Sequence, residues 1–137
     1  MKKILLGILM IFAFVGCSGL SSKISSSLIG KEYVLSTSTK EVKITINFAE
    51  ENFFGFSGVN NYFGSYTVSG DKIKLSHVGS TLMAGPRDAM EKEFEYISSL
   101  DKVEKYKMEK ENLIFTTDSG QQLIFKEVKK PELKSNK

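Results

Sequence analysis

Residues 42–48 read Val-Lys-Ile-Thr-Ile-Asn-Phe, and the alternation of Val42, Ile44, Ile46 and Phe48 with Lys43, Thr45 and Asn47 decides the fold class. Side chains of a strand point to opposite faces in turn, so this stretch has one apolar face for a core and one wet face. Working outward, Lys31 to Thr37 (KEYVLST) reads as a preceding strand joined through a turn at Ser38-Thr39-Lys40. Asn52 to Gly58 (NFFGFSG) and Tyr62 to Val68 (YFGSYTV) are aromatic and β-branched enough for two more strands. Glycine inside a strand marks a bulge or sharp bend, so Gly55, Gly58 and Gly64 predict a strongly curved sheet. Ser69-Gly70-Asp71 is a turn, followed by a short strand over Lys72 to Leu75.

The period then changes. Met90, Phe94 and Ile97 fall at i, i+4 and i+7, which predicts a helix from about Asp88 to Leu100 with those three side chains facing the core. Asp88 and Glu91 have the spacing of a capping box, and Pro86 suits the first turn. Strands follow at Val103 to Met108, Asn112 to Thr117 and Gln122 to Val128, the last two joined by a hairpin at Asp118-Ser119-Gly120. With no βαβ alternation, the expectation is an α+β domain: a curved, partly barrel-like antiparallel sheet of about eight strands with one packed helix.

The N-terminus specifies an address. Met1-Lys2-Lys3 is a short positive segment, and Ile4 to Val15 is a continuous apolar run. As a helix that run would reach only about 18 Å, short of a hydrocarbon core roughly 30 Å thick. Phe14-Val15-Gly16-Cys17 is similar to a lipobox, though Phe14 stands where Leu is usual. The expected organisation is a lipoprotein signal peptide over 1–16, a lipidated Ser-rich tether over 17–27, one domain over 28–128 and a charged tail over 129–137. Lipid on Cys17 would attach the chain to a cell membrane or outer membrane, facing the periplasm or exterior. Ser18 after the cysteine favours the outer membrane in a Gram-negative host. The alternative is an ordinary signal peptide with an incidental cysteine. Ser18 to Ser27 holds six serines in ten residues, the composition of a flexible tether with a reach of about 17–19 Å, and argues for the anchor.

Composition narrows the function classes. Removing the first 16 of 137 residues leaves 121, with 17 basic against 16 acidic side chains, too near neutral for a nucleic-acid partner. One cysteine excludes an internal disulfide or CxxC redox pair, so the ten Phe and five Tyr must supply the core.

His77 is the sole histidine, which excludes a metal site built from several imidazoles, and the sequence points to no metal or cofactor. Glu91, Glu93 and Glu95 read as a solvated helix face, with only Glu91 and Glu95 on the same side. No P-loop or GxSxG elbow occurs. Asn60, Asn61, Tyr62 and Arg87 form the more interesting polar set, read either as turn residues or as a recognition surface. Phe53, Phe54, Phe56 and Phe63 either pack the core, which is favoured, or line a groove for a peptide or lipid.

Phe56 to Leu100 resembles the META domain family, whose bacterial members include the heat-shock lipoprotein HslJ. The likeness is carried by Gly58-Val59-Asn60, Gly64-Ser65-Tyr66, Thr81-Leu82-Met83-Ala84-Gly85 and Met90-Glu91-Lys92-Glu93-Phe94. Val59 and Gly85 stand where many relatives have cysteine, and losing both together fits a pair that was structural. Tyr33 stands where the family often has Trp. The resemblance implies a non-enzymatic cell-envelope protein with a role in stress or antibiotic tolerance, its partner an unknown envelope protein or ligand. A ligand-binding or protein-inhibitor module is the alternative, and a small hydrolase using Asn60, His77 or a carboxylate ranks below both.

Overall fold

A computed structural model describes residues 27–130. The expected signal peptide, Cys17 and most of the tether lie outside the described residues, as does the tail beyond Lys130.

Eight antiparallel strands close into a barrel in sequence order: β1 (Glu32–Leu35), β2 (Thr45–Phe48), β3 (Asn52–Phe56), β4 (Asn61–Ser69), β5 (Lys72–Ser80), β6 (Val103–Glu109), β7 (Asn112–Thr117) and β8 (Gln122–Glu127). The barrel shuts where β1 pairs with β8, Val34 opposite Lys126. A helix, α1 (Arg87–Leu100), sits between β5 and β6. The α+β reading with a curved antiparallel sheet and one packed helix therefore stands, and the sheet curls until it has no free end strand.

Two glycines make that curl possible. A methyl group at Gly55 would lie 2.1 Å from the Thr45 carbonyl oxygen, so β2 and β3 approach closely only because position 55 has no side chain. At Gly64 the same group would collide with the Phe53 ring at 2.4 Å, beside the register shift between Phe63 and Ser65 that bends β4. Gly58 has a different task, taking φ +113° in the turn between β3 and β4.

The interior is an aromatic chain. Phe48 meets Tyr66 edge-on at 5.2 Å and Phe115 at 6.4 Å, Phe115 meets Phe125 at 5.4 Å, and Tyr96 of α1 joins Phe125 to Tyr62. Each buried ring contributes about 2–3 kcal/mol of transfer free energy, with edge-to-face geometry adding to it. Tyr33 is fully buried with no hydrogen-bond partner for its hydroxyl, and burial followed by the charge of Glu127 pushes its pKa up to about 12.

The strand boundaries hold to within a few residues, with one larger difference: β5 runs on to Ser80 instead of ending at Leu75. It passes through His77 at φ +54°, a bend that no local pattern announces. In β2 the alternation also breaks, because Thr45 is buried: its Oγ1 accepts the Phe56 N–H at 3.0 Å and its carbonyl accepts the Tyr62 hydroxyl at 2.7 Å.

The α1 reading needs two corrections. No side chain caps the helix; Pro86 occupies the N-cap position, and Glu91 pairs with Arg87 one turn away at 3.1 Å rather than closing a box with Asp88. The buried face is Ala89, Glu93, Tyr96 and Leu100, the expected spacing displaced by one residue. That is a rotation of about 100°. Phe94, expected inside, is 73 % exposed, and Met90 is partly exposed. Of the predicted face only Ile97 packs against the core, from its margin.

Gly55→Ala should destabilise the barrel by about 3 kcal/mol, since the obstruction is backbone and cannot rotate away. Urea unfolding followed by circular dichroism checks this, and an unchanged midpoint would show that β2 and β3 tolerate wider spacing.

Candidate functional site

The buried face of α1 carries a carboxylate into the barrel wall. Glu93, 9 % exposed, accepts three hydrogen bonds at Oε2, from the Ser57 hydroxyl (2.6 Å), the Asn60 N–H (2.7 Å) and the Val59 N–H (3.1 Å). Its Oε1 accepts a fourth from Asn60 Nδ2 at 2.7 Å. The turn between β3 and β4, opened by Gly58, aims two successive main-chain N–H groups at one oxygen, a small anion-binding nest filled by the protein's own side chain. Burial alone would raise the Glu93 pKa, but the donors of Ser57, Asn60 and Val59 outweigh it and hold the carboxyl below its ordinary value.

Asn60 extends this hub. Its Nδ2 also donates to the Met83 carbonyl (3.1 Å), and its Oδ1 accepts from the Met83 N–H (2.6 Å) and the Thr81 hydroxyl (2.9 Å). The amide thus uses both ends to join the β3–β4 turn, α1 and the loop after β5. Beneath it, the Tyr96 and Tyr62 hydroxyls meet at 2.6 Å while Tyr62 donates to Thr45; burial raises the pKa of both phenols.

The polar set expected at a recognition surface is therefore divided. Asn60 (3 % exposed) and Tyr62 (1 %) lie inside, whereas Asn61 and Arg87 are exposed. Glu93, read with its neighbours as solvated, is the polar residue that sequence inspection missed. The available signal was its place at i+4 and i−3 from Ala89 and Tyr96, in phase with them. Phe53 packs inside as expected, but Phe54 and Phe63 are cross-strand neighbours on the outer wall, and Phe56 is also exposed. His77 is exposed, its Nδ1 3.1 Å from the Ser65 hydroxyl.

Among the described residues, no three His, Cys, Asp or Glu side chains cluster as a metal site. A hollow of about 320 Å³ opens between α1 and the β1–β2 connection, lined by Leu35, Val42, Ile44, Lys92, Glu95 and Tyr96. A wider one of about 680 Å³ lies at the β5–β6 seam, where Lys72 opposite Lys105 is the one registered pair. Asn60 and Glu93 line neither.

Fold and hub together define a small closed β-barrel braced from one side by a helix through a buried carboxylate and amide. The META domain model matches residues 26–130, and the chain belongs to the META domain family. A solution structure of a protein from Burkholderia xenovorans is similar at 22 % identity with a TM-score of 0.65, over 79 % of this chain and 88 % of that one. A second solution structure is similar at 17 % identity with a TM-score of 0.60, over 74 % and 92 % of the two chains. Both likenesses concern the fold. No curated protein matches the chain.

Three of the four segments that carry the family likeness converge on this hub: Asn60 bonds directly to Thr81, Met83 and Glu93. The two cysteine-free positions also adjoin, since a Cβ built on Gly85 lies 3.4 Å from the Val59 Cβ, close to the separation a disulfide spans.

Val59→Cys with Gly85→Cys, in a Cys17→Ser background, should oxidise to a disulfide closing about 25 residues and stabilise the fold by about 3 kcal/mol. A thiol titration that finds both sulfhydryls free in air would refute the adjacency. Glu93→Gln should cost about 2–3 kcal/mol, because the new amide N–H₂ must face either Asn60 Nδ2 or the donors at Oε2. The Glu93 pKa is lowered on folding, so its stabilisation is present above the ordinary carboxyl pKa and is lost as pH falls through the folded value. Denaturant midpoints of the wild type should accordingly fall more steeply below about pH 4.5 than those of the Gln variant.

Proposed function

We propose that this META domain is a lipid-anchored cell-envelope protein that acts by binding, with a role in stress or antibiotic tolerance. The observation carrying the non-enzymatic part is the saturation of Glu93. A general acid or base needs a pKa near the working pH and a lone pair or proton directed at substrate. Glu93 has a lowered pKa and both oxygens engaged by the fold's own donors, so its chemistry is used to hold α1 to the β3–β4 turn. Ser65 and His77 are within hydrogen-bond distance, but no carboxylate orients the imidazole among its bonded partners.

The anchor is supported by the positive N-terminus, the apolar run Ile4 to Val15, Cys17 and the serine-rich stretch after it. Each buried methylene of an acyl chain contributes about 0.8 kcal/mol, so two or three chains would make the attachment effectively permanent. The partner on the envelope side is an unidentified protein or ligand.

Radiolabelled palmitate should enter the wild-type protein, and Cys17→Ser should abolish labelling and shift the protein from the membrane fraction to the soluble one. Equal membrane retention of the Ser variant would remove the anchor from this account.

A further inference from the structure

The loop joining β5 to α1, residues 81–86, is clamped at Thr81 and Met83 and bare between them at Leu82. Asn60 grips Met83 at both main-chain groups, as a neighbouring strand would. Thr81 is held three ways: its hydroxyl donates to Asn60 Oδ1 and accepts the Asn61 N–H at 3.2 Å, and its own N–H donates to the Asn61 carbonyl at 3.0 Å. The gripping amide is itself immobilised by Glu93. Between these fixed points Leu82 is 95 % exposed and makes no hydrogen bond among the described residues, and the Met83 side chain is also exposed. The segment Thr-Leu-Met-Ala-Gly-Pro carries no charge that a partner would have to desolvate.

We propose that this loop is a preformed ligand segment for the substrate cleft of an endopeptidase with an apolar specificity pocket, Leu82 filling the pocket, so that the domain binds and blocks such an enzyme. The physical reason lies in what the clamp accomplishes. A bilayer would take up an aliphatic side chain whatever the conformation of the chain beneath it. A cleft that reads main chain must otherwise order a flexible segment on binding, and a segment fixed beforehand spares that cost. The hub does this fixing directly beside the most exposed large hydrophobic residue of the described chain. Clamped flanks also hold the two sides of the Leu82–Met83 bond together, which disfavours release after a cut. The proposal rests on the domain being a binder and is independent of the lipid anchor.

The purified mature chain would be titrated against chymotrypsin, whose specificity pocket is a hydrophobic slot, and trypsin, whose pocket holds an aspartate, with chromogenic peptides as reporters. Expected is inhibition of chymotrypsin with a constant on the order of 1 µM or below, and of trypsin at least about 100-fold weaker. Leu82→Asp should abolish inhibition and Leu82→Arg should transfer it to trypsin, with circular dichroism unchanged in both, because the side chain at position 82 is 95 % exposed. Asn60→Ala, where it still folds, should turn the loop into a substrate cut after Leu82.

Absence of chymotrypsin inhibition at about 100 µM, or inhibition that Leu82→Asp leaves unaltered, would overturn the proposal while leaving the anchor intact. Leu82-dependent flotation with phosphatidylglycerol vesicles, without chymotrypsin inhibition, would overturn it in favour of a bilayer. Hydrolysis of the reporter peptides by the domain alone would instead defeat the binding function on which it rests.

Discussion

A carboxylate withdrawn from water must either take up a proton or be surrounded by donors, and Glu93 is surrounded. The placement of several other parts follows from that requirement. Its donors come from the β3–β4 turn, so the turn must adopt the conformation in which the N–H groups of Val59 and Asn60 converge. Asn60, bound on one side, then takes the loop after β5 by its other bonds. α1 is rotated to bring Glu93 inward, and Tyr96, one turn further on, enters the aromatic interior.

This arrangement explains why the barrel can be small. Strongly curled antiparallel strands leave little room for large residues on their concave side, and here glycines at 55 and 64 absorb the closest approaches while rings fill what remains. The helix supplies Tyr96 and Leu100 to the interior, where the Tyr96 ring packs between Tyr62 of β4 and Phe125 of β8. Where relatives have cysteines, this chain has Val59 resting on Gly85, and the polar hub secures the same two segments without a covalent link.

The hub also separates structure from function in the family's motifs. Asn60, Thr81 and Glu93 lie in the segments that carry the family likeness, yet Asn60 and Glu93 are buried and bonded to each other, and Thr81 is bonded to Asn60. What they leave outside is the apex at Leu82, the residue in the Thr-x-Met-Ala segment that the fold itself does not use. The outer aromatic pair Phe54 and Phe63 is likewise free of the core.

The strands and the α+β class were legible in the linear chain because period-2 alternation and turn residues act over a few neighbours, as Val42 to Phe48 and Asp118 to Gly120 illustrate. The existence of the helix was equally legible from spacing. Its orientation was not: apolarity favours Met90 and Phe94, while the face that turns inward contains a glutamate. Glu93 finds its donors 33 to 36 residues away, and no local pattern encodes a partner at that distance. The same reason hid the burial of Thr45, whose partners Phe56 and Tyr62 meet it only after the sheet has curled. Tertiary structure alone decided which polar groups are paired inside, and hence which loop is held by hydrogen bonds at Thr81 and Met83 and left exposed at Leu82.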